Sequence, residues 1–315
     1  MQLIARRCDI FHIKRQALPV FPIILVLLMF ACALTETVRP TFSPITAPTA
    51  APKQAKIALV LGAGASRGFA HIGVLKVLEA NRVPIHMIIG TSAGSFVGSL
   101  SAYGFNGFQL QKMALAFEKS DLVDYTIPDN GFIKGDKLEE YLNNAVRRTP
   151  IEKFRIPFYA IATALPSGQE VVFGQGNAGM AVRASCSIPG VFIPKRMADK
   201  MYVDGGVVSP VAVDTARRFG ADIVIAVDIS ADLDIRPPDG IIDTILQSVN
   251  IMYAKLASAQ LTRADVIIRP KVGRIGSAEF EKRHEAIMEG EKAAIEVMPA
   301  IQSIIARLKQ EGRLE

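Results

Sequence analysis

Three short segments of this 315-residue chain carry residue types at spacings that chemistry uses. The first is Gly90-Thr91-Ser92-Ala93-Gly94. It follows an apolar run, Ile85–Ile89, and precedes a small-residue stretch, Ala93–Tyr103, of helical character. A sharp strand-to-helix turn there lifts a serine hydroxyl clear of the backbone, and glycines at 90 and 94 remove the side chains that would obstruct it. The helix N-terminus behind Ser92 favours developing negative charge. Those are the demands of a nucleophile in acyl transfer. A plain Gly/Ser-rich turn has the same composition, but few such turns fall between a strand and a helix.

The second segment is Gly62-Ala63-Gly64-Ala65-Ser66-Arg67-Gly68, between the apolar run Lys56–Leu61 and a helical pattern over Phe69–Ala80. Backbone N–H groups in such a loop converge on an anion. Three readings compete. A nucleotide-phosphate loop needs Gly-Lys-Ser/Thr, which Arg67-Gly68-Phe69 does not supply. A dinucleotide fingerprint needs a third glycine at position 67, where this chain has arginine. An oxyanion hole serving Ser92 is the third.

The last segment is Asp204-Gly205-Gly206, after the short run Met201–Val203. Asp-Gly is a favoured turn dipeptide, so a plain turn is the bland reading. It gains weight from a gap elsewhere. A three-residue hydrolase with G-x-S-x-G runs Ser, then Asp or Glu, then His along the chain. Only His284 follows Ser92, within the charged helical face Phe280–Glu285. His71 precedes Ser92 and reads as a structural hydrogen-bond partner. A serine without a convincing histidine needs another base, and Asp204 is the candidate.

Stepping along the chain, apolar strands and amphipathic helices alternate from Lys56 to Leu308, with strands expected at 56–61, 85–89, 158–163, 170–173, 201–203, 223–227 and 266–269. Helices are expected at 69–80, 93–103, 107–119, 136–147, 211–219, 241–261 and 278–308. Alternation of this kind implies an α/β sandwich with a mostly parallel sheet, whose sites lie beyond the carboxyl ends of the strands. Half of the residues are hydrophobic and 21% are charged, enough for a full core without staples. Three cysteines exclude a disulfide framework, and four scattered histidines argue against zinc. The net charge is +6, half of it in the first 31 residues, and the remainder is too weak to imply nucleic acid.

Together these features resemble the patatin-like phospholipase family. The loop 62–68 with Phe69–Leu75, the elbow 90–94, the segment Arg183–Phe192 and the Asp204 turn stand in that family's order. The resemblance covers about Lys56–Gly220 and continues loosely to about Leu308. It implies a three-layer α/β/α sandwich in which 56–220 is the catalytic core and 221–315 a strand-helix extension. Ser92 is then the nucleophile and Asp204 its direct partner, with Gly205 and Gly206 turning the chain behind it. The loop of Gly62, Gly64, Ala65, Ser66, Arg67 and Gly68 is the oxyanion hole. Ala65 stands where many members have glycine, which a backbone donor tolerates if φ is negative. The resemblance implies an acyl-ester lipid substrate and a membrane surface, with no metal and no organic cofactor. Two rival readings are a serine hydrolase with a histidine base and a catalytically silent lipoprotein that binds lipid or a partner. Cys186 reads as a buried thiol. Arg183, Lys195, Arg196 and Lys200 either meet an anionic head group or form a solvated face. Ile188–Pro194 either lines an acyl groove or is core.

Residues 1–31 read as a signal or membrane segment. Arg6, Arg7, Lys14 and Arg15 precede an uncharged run from Gln16 to Thr35. Ala31-Cys32 resembles a lipoprotein cleavage site, although Phe30 is bulky for one, and Cys32 would carry the lipid. An uncleaved anchor and a start site placed too far upstream are the alternatives. Residues 32–55 are Pro-, Thr- and Ala-rich, which reads as a spacer. The expected place is the periplasmic face of a bacterial membrane, the outer one favoured, or the inner one through an uncleaved anchor.

Overall fold

The computed structural model describes residues 53–127, 130–232, 238 and 240–315. The apolar leader, Cys32 and the spacer up to residue 52 lie outside them. Among the described residues no helix is long and apolar enough to cross a membrane.

Three strands with unbroken apolar sequences, β1 (Ile57–Leu61), β2 (Met87–Thr91) and β7 (Ile223–Val227), are buried at every position. A strand covered on both faces has no solvent side to alternate with. Their side chains divide by the pleat. Ile57, Leu59, Leu61, Ile88 and Ile225 join one apolar cluster, with residues of α1 (Phe69–Ala80), α2 (Ala93–Tyr103) and α8 (Arg283–Gln310). Ala58, Val60, Ile89, Val224 and Ala226 join the other, with α6 (Val213–Arg218) and the end of α7 (Ile241–Leu261). Helices therefore cover both faces, which makes the three layers.

The remaining elements are α3 (Gly107–Ala116), α4 (Asp136–Ala145), β3 (Phe158–Leu165), β4 (Glu170–Phe173), α5 (Ala178–Ser185), β5 (Lys195–Met197), β6 (Lys200–Asp204) and β8 (Val266–Ile268). The sheet runs β5-β6-β3-β2-β1-β7-β8, with β4 also paired to β3. The five strands from β3 to β8 are parallel, while β4, β5 and β6 add antiparallel pairs. Register along β3 sets the site. Ile88–Thr91 pair with Phe158–Ile161 on one flank, and β4 covers Ala160–Thr163 on the other. β6 pairs with Ala162–Leu165, overlapping β4, so it lies on the flank of β2. Thr91 opposite Ile161 and Asp204 opposite Ala162 are thus consecutive rungs, where two opposed strands meet end to end.

The expected elements and the observed ones differ in a few places. β2 begins at Met87 rather than Ile85. His86 instead joins β1 from outside the strand, its N–H donating to the Ile57 carbonyl and its Nδ1 accepting from the Ile57 N–H. α5 and β5 were not expected. α8 begins at Arg283, after a 3₁₀ turn at Phe280–Lys282. Order also starts before Lys56, because Ala55 is buried and its N–H bonds the Arg313 carbonyl at 2.8 Å. Arg313 also donates to the Lys53 carbonyl and to Asp222, so the first and last described segments lie side by side.

α8 crosses α1 at a pair of glycines. A Cβ at Gly73 would collide with the Ile287 carbonyl, and one at Gly290 with the Ala70 carbonyl. Helix propensity alone would favour alanine at 290 by about 1 kcal/mol. The backbone contact reverses the sign, so Gly290→Ala is expected to lose about 1–3 kcal/mol in urea unfolding. Gly220→Ala, at φ 82° with open space around it, is expected to lose about 1 kcal/mol from backbone strain alone. A Gly290→Ala protein as stable as wild type would mean that the two helices are not in backbone contact.

Candidate active site

Ser92 caps α2 with φ 54° and ψ −123°, a conformation that non-glycine residues adopt only when their surroundings enforce it. The surroundings do so from three sides. Gly90 lies against the Gly94 carbonyl, leaving no room for a Cβ. The Ser92 N–H donates to Ser185 Oγ at 2.9 Å. The Ser92 carbonyl accepts from the Ser95 N–H at 2.8 Å and from Ser95 Oγ at 2.6 Å. The hydroxyl is not in the open. Ser92 is 3% exposed, and it lines the floor of a cavity that opens past Tyr125.

Ser92 Oγ lies 2.6 Å from Asp204 Oδ2 and donates to it. Asp204 is fully buried. Its Oδ1 accepts from the Gly206 N–H at 2.7 Å, the contact that shapes the Asp-Gly-Gly turn. Its backbone is fixed by the Ser187 carbonyl at 2.8 Å and by Thr163 Oγ1 at 2.9 Å. Burial raises its carboxyl to about 6, against the Ser92 and Gly206 donors that pull it down. The close of α5 therefore holds both halves of the pair, through Ser185 and Ser187. That helix is organised by Arg183, which is buried rather than solvated or turned to a head group. Arg183 donates to the Ile193 carbonyl at 2.7 Å and to Ser187 Oγ and the Lys134 carbonyl, with its guanidinium over Phe192. Lys195 is paired with Glu139, and Arg196 and Lys200 are exposed.

The glycine-rich loop ends beside Ser92, with Gly68 packed on Ala93. Several of its amides are already engaged. Gly62 N–H donates to the Val227 carbonyl, Ala63 to Pro210, Ser66 to Ser277 and Arg67 to Gly64. Among the described residues the amides of Gly64 and Ala65 have no such backbone acceptor. The Arg67 side chain turns inward, to the Ile229 and Ile275 carbonyls and Asn250 Oδ1, so it braces the loop. Ala65 has φ 51°, against the negative φ expected of an alanine there.

Neither His71 nor His284 is hydrogen-bonded to Ser92, whose hydroxyl donates to Asp204. His71 is fully buried, and its Nε2 donates to the Gly62 carbonyl at 2.9 Å, while burial depresses its pKa to about 4. His284 is exposed in the first turn of α8. Cys186 lies close by, its sulfur 3.8 Å from Ser95 Oγ. Burial pushes that thiol up to about 12, so it stays protonated. One group was missed in the sequence. Tyr253 on α7 is 7% exposed, and its hydroxyl faces the Asp204 carboxylate without completing a regular hydrogen bond. The available signal was an i, i+4 stripe, Ile245, Val249, Tyr253 and Ala257, in which one position carries a hydroxyl.

The cavity before Ser92 holds about 360 Å³. Phe96, Val97 and Leu100 of α2 form one wall, and Leu110, Met113 and Ala114 of α3 another. Ile188, Val191 and Phe192 also line it, so part of the Ile188–Pro194 segment faces the cavity, while Ile188 and Phe192 pack against the core as well.

Residues 59–217 match the model of the patatin-like phospholipase family. The chain belongs to that family. It is 28% identical over 293 residues to the lysophospholipase NTE1 of Pyricularia oryzae, covering 82% of this chain and 19% of that protein. It is 34% identical over 177 residues to an uncharacterized NTE family protein of Mycobacterium bovis, covering 56% of this chain and 49% of that one. The chain thus spans less than half the length of each of these relatives. Its fold resembles the crystal structure of VipD from Legionella pneumophila, with a TM-score of 0.52 and 13% identity, over 79% of this chain and 67% of that one.

The left-handed Ala65 has a measurable cost. Ala65→Gly removes about 1–2 kcal/mol of strain and adds about 0.5–1 kcal/mol of chain entropy. The variant is therefore expected to gain between about 0 and 1.5 kcal/mol in urea unfolding. A loss of stability would show that the loop carries no such strain.

Proposed function

We propose that this chain is a serine hydrolase of acyl-ester lipids working through a Ser92–Asp204 dyad. The observation that carries it is the 2.6 Å hydrogen bond from Ser92 Oγ to a buried carboxylate, placed at an apolar cavity. In the first step Ser92 Oγ bonds to the ester carbonyl carbon while its proton passes to Asp204 Oδ2. The carbonyl π electrons move to oxygen, and the resulting oxyanion is received by the amides of Gly64 and Ala65, helped by the N-terminus of α2. Collapse breaks the bond to the alcohol, which leaves with the proton from Asp204. Water, deprotonated by Asp204, then releases the acid and returns the proton to Ser92. Loss of one oxyanion donor in such a site costs about 3–4 kcal/mol of barrier.

The volume is at the small end for ligand cavities, a size for one acyl chain rather than two. The name of the Pyricularia relative, a lysophospholipase, supports the same reading. Tyr125, which lines the cavity, is 71% exposed and Ile127 beyond it 88%. Exposed apolar groups beside a lipid cavity support contact with a membrane surface. For the place of action, the proposal remains lipid attachment at Cys32, with an uncleaved anchor as its rival.

Ser92→Ala is expected to lower hydrolysis of a soluble ester by at least about 10³-fold, and Asp204→Asn by about 10²–10⁴-fold. His71→Asn and His284→Ala should fall far less. A histidine variant as inactive as Asp204→Asn would replace the dyad by a triad. Chain length is read by the cavity wall. Ala114→Phe should lower kcat/KM on a palmitoyl ester by about tenfold or more while a butyryl ester changes little. Equal losses on both esters would place the acyl chain elsewhere.

A further inference from the structure

α7 is the one element at the site that the mechanism above leaves unused. The Tyr253 ring lies over Gly206 so closely that any side chain at 206 would strike it. The second glycine of the Asp-Gly-Gly turn is therefore the seat of this ring, which packs with Ala63 and Val249. Among the described residues, only the Tyr253 hydroxyl and His71 Nδ1 are buried side-chain polar atoms without a hydrogen-bond partner. Leaving a donor buried and unpaired is costly, and such groups call for a functional account. Here the charged group it faces is Asp204.

That carboxylate has acceptor capacity to spare. Oδ2 takes the Ser92 hydroxyl and Oδ1 the Gly206 N–H, whereas an ionised carboxylate offers about four lone-pair sites. Thr163 and Ser187 bond its backbone rather than its side chain. The groups facing it are Ser92 from α2, Gly206 from its own turn, Tyr253 from α7 and the Cys186 thiol from the end of α5. Arg183 bonds Ser187 and acts on that thiol rather than on Asp204. None of the groups that set the ionisation of Asp204 is a cation. A buried base without a cationic partner depends on hydrogen-bond donors to stay ionised.

We propose that Tyr253 is a positioning residue for the reaction, its hydroxyl donating to the Asp204 carboxylate when substrate fills the cavity and holding that group ionised and aimed at Ser92. The proposal rests on the hydrolase reading. It transfers no proton through the phenol. Its consequence is a direction. Without the hydroxyl, burial acts on Asp204 with one fewer donor against it, so the base becomes protonated at higher pH.

The test is the pH profile of kcat, which reports the substrate-bound enzyme, on a soluble butyryl ester, for the full chain and its Tyr253→Phe variant. The acid limb of the variant is expected to move up by about one pH unit. Above about pH 8 the two profiles should converge, because Asp204 is ionised in both. A fluorinated tyrosine at 253, a stronger donor of the same shape, should move the limb the other way. An unshifted limb, or a loss uniform across pH, would overturn the proposal. Tyr253→Phe should melt no lower than wild type, since the hydroxyl it removes has no partner. If it fails to fold, the fluorotyrosine limb decides alone, and no shift there rejects the role. Ser92→Ala in the same assay separates the two levels. Activity retained in that variant rejects the hydrolase reading itself, whereas an inactive Ser92→Ala with an unshifted Tyr253→Phe limb rejects only the part given to Tyr253.

Discussion

The hydrogen bond between Ser92 and Asp204 exists because two strands running toward each other stop on adjacent rungs of β3. Register, rather than any loop, brings the serine and the carboxylate together. One rung of slip would turn the side chains of either strand to the opposite face. The strands are pinned accordingly. β2 is buried between β1 and β3, and β6 is tied by Ser187 and Thr163 at the residue that matters. The close of α5 spans the gap, with Ser185 on one side and Ser187 on the other.

That arrangement requires an anion-forming group inside the protein. Burying a carboxylate without compensation is expensive, and the compensation here is two short donors rather than an ion pair. A cation in contact would hold Asp204 well below neutrality and weaken it as a base. Donors alone leave it near 6, close to where a general base works best. Strain at Ser92 and close backbone packing at Gly90 fall in the same turn, which carries the hydroxyl to both Asp204 and the cavity.

Much of this was legible in the sequence, for physical reasons that differ by element. β1 and β7 are unbroken apolar runs, and α1 carries Ile72, Leu75 and Leu78 at helical spacing between glycine-rich and polar turns. α5 was missed because Ala178–Ser185 is built of small residues with no apolar rhythm, its start fixed by Asn177 accepting from the Met180 N–H. β5 is three residues, two of them charged. Ser92 stood out because an elbow has a compositional signature. Asp204 was reached by exclusion of histidine and by resemblance, and its distance from Ser92 needed the strand register. Arg183 was grouped with exposed cations because charge in a sequence says nothing of the carbonyls that satisfy it. Tyr253 was not singled out, because a hydroxyl on an otherwise apolar helix stripe has no motif around it. The φ of Ala65 leaves no trace in the residue type.

The bonds from Arg313 to Lys53 and from Ala55 to Arg313 place the entry of the chain at the amino end of β1. Ser92 sits beyond the opposite end of the same sheet, about five residues or some 15 Å of strand away. Anything that holds the protein through the segment ahead of residue 53 therefore holds it by the end remote from its cavity. A domain gripped on a short leash in that way would present its back to the surface it is tied to. To work on that same surface it must turn over, and the leash must be at least as long as the body it swings around. Twenty-odd residues rich in proline reach on the order of 60 Å when extended. If residues 32–55 are the tether proposed for them, their length is a swivel radius, and shortening them would decide which surface the cavity can reach.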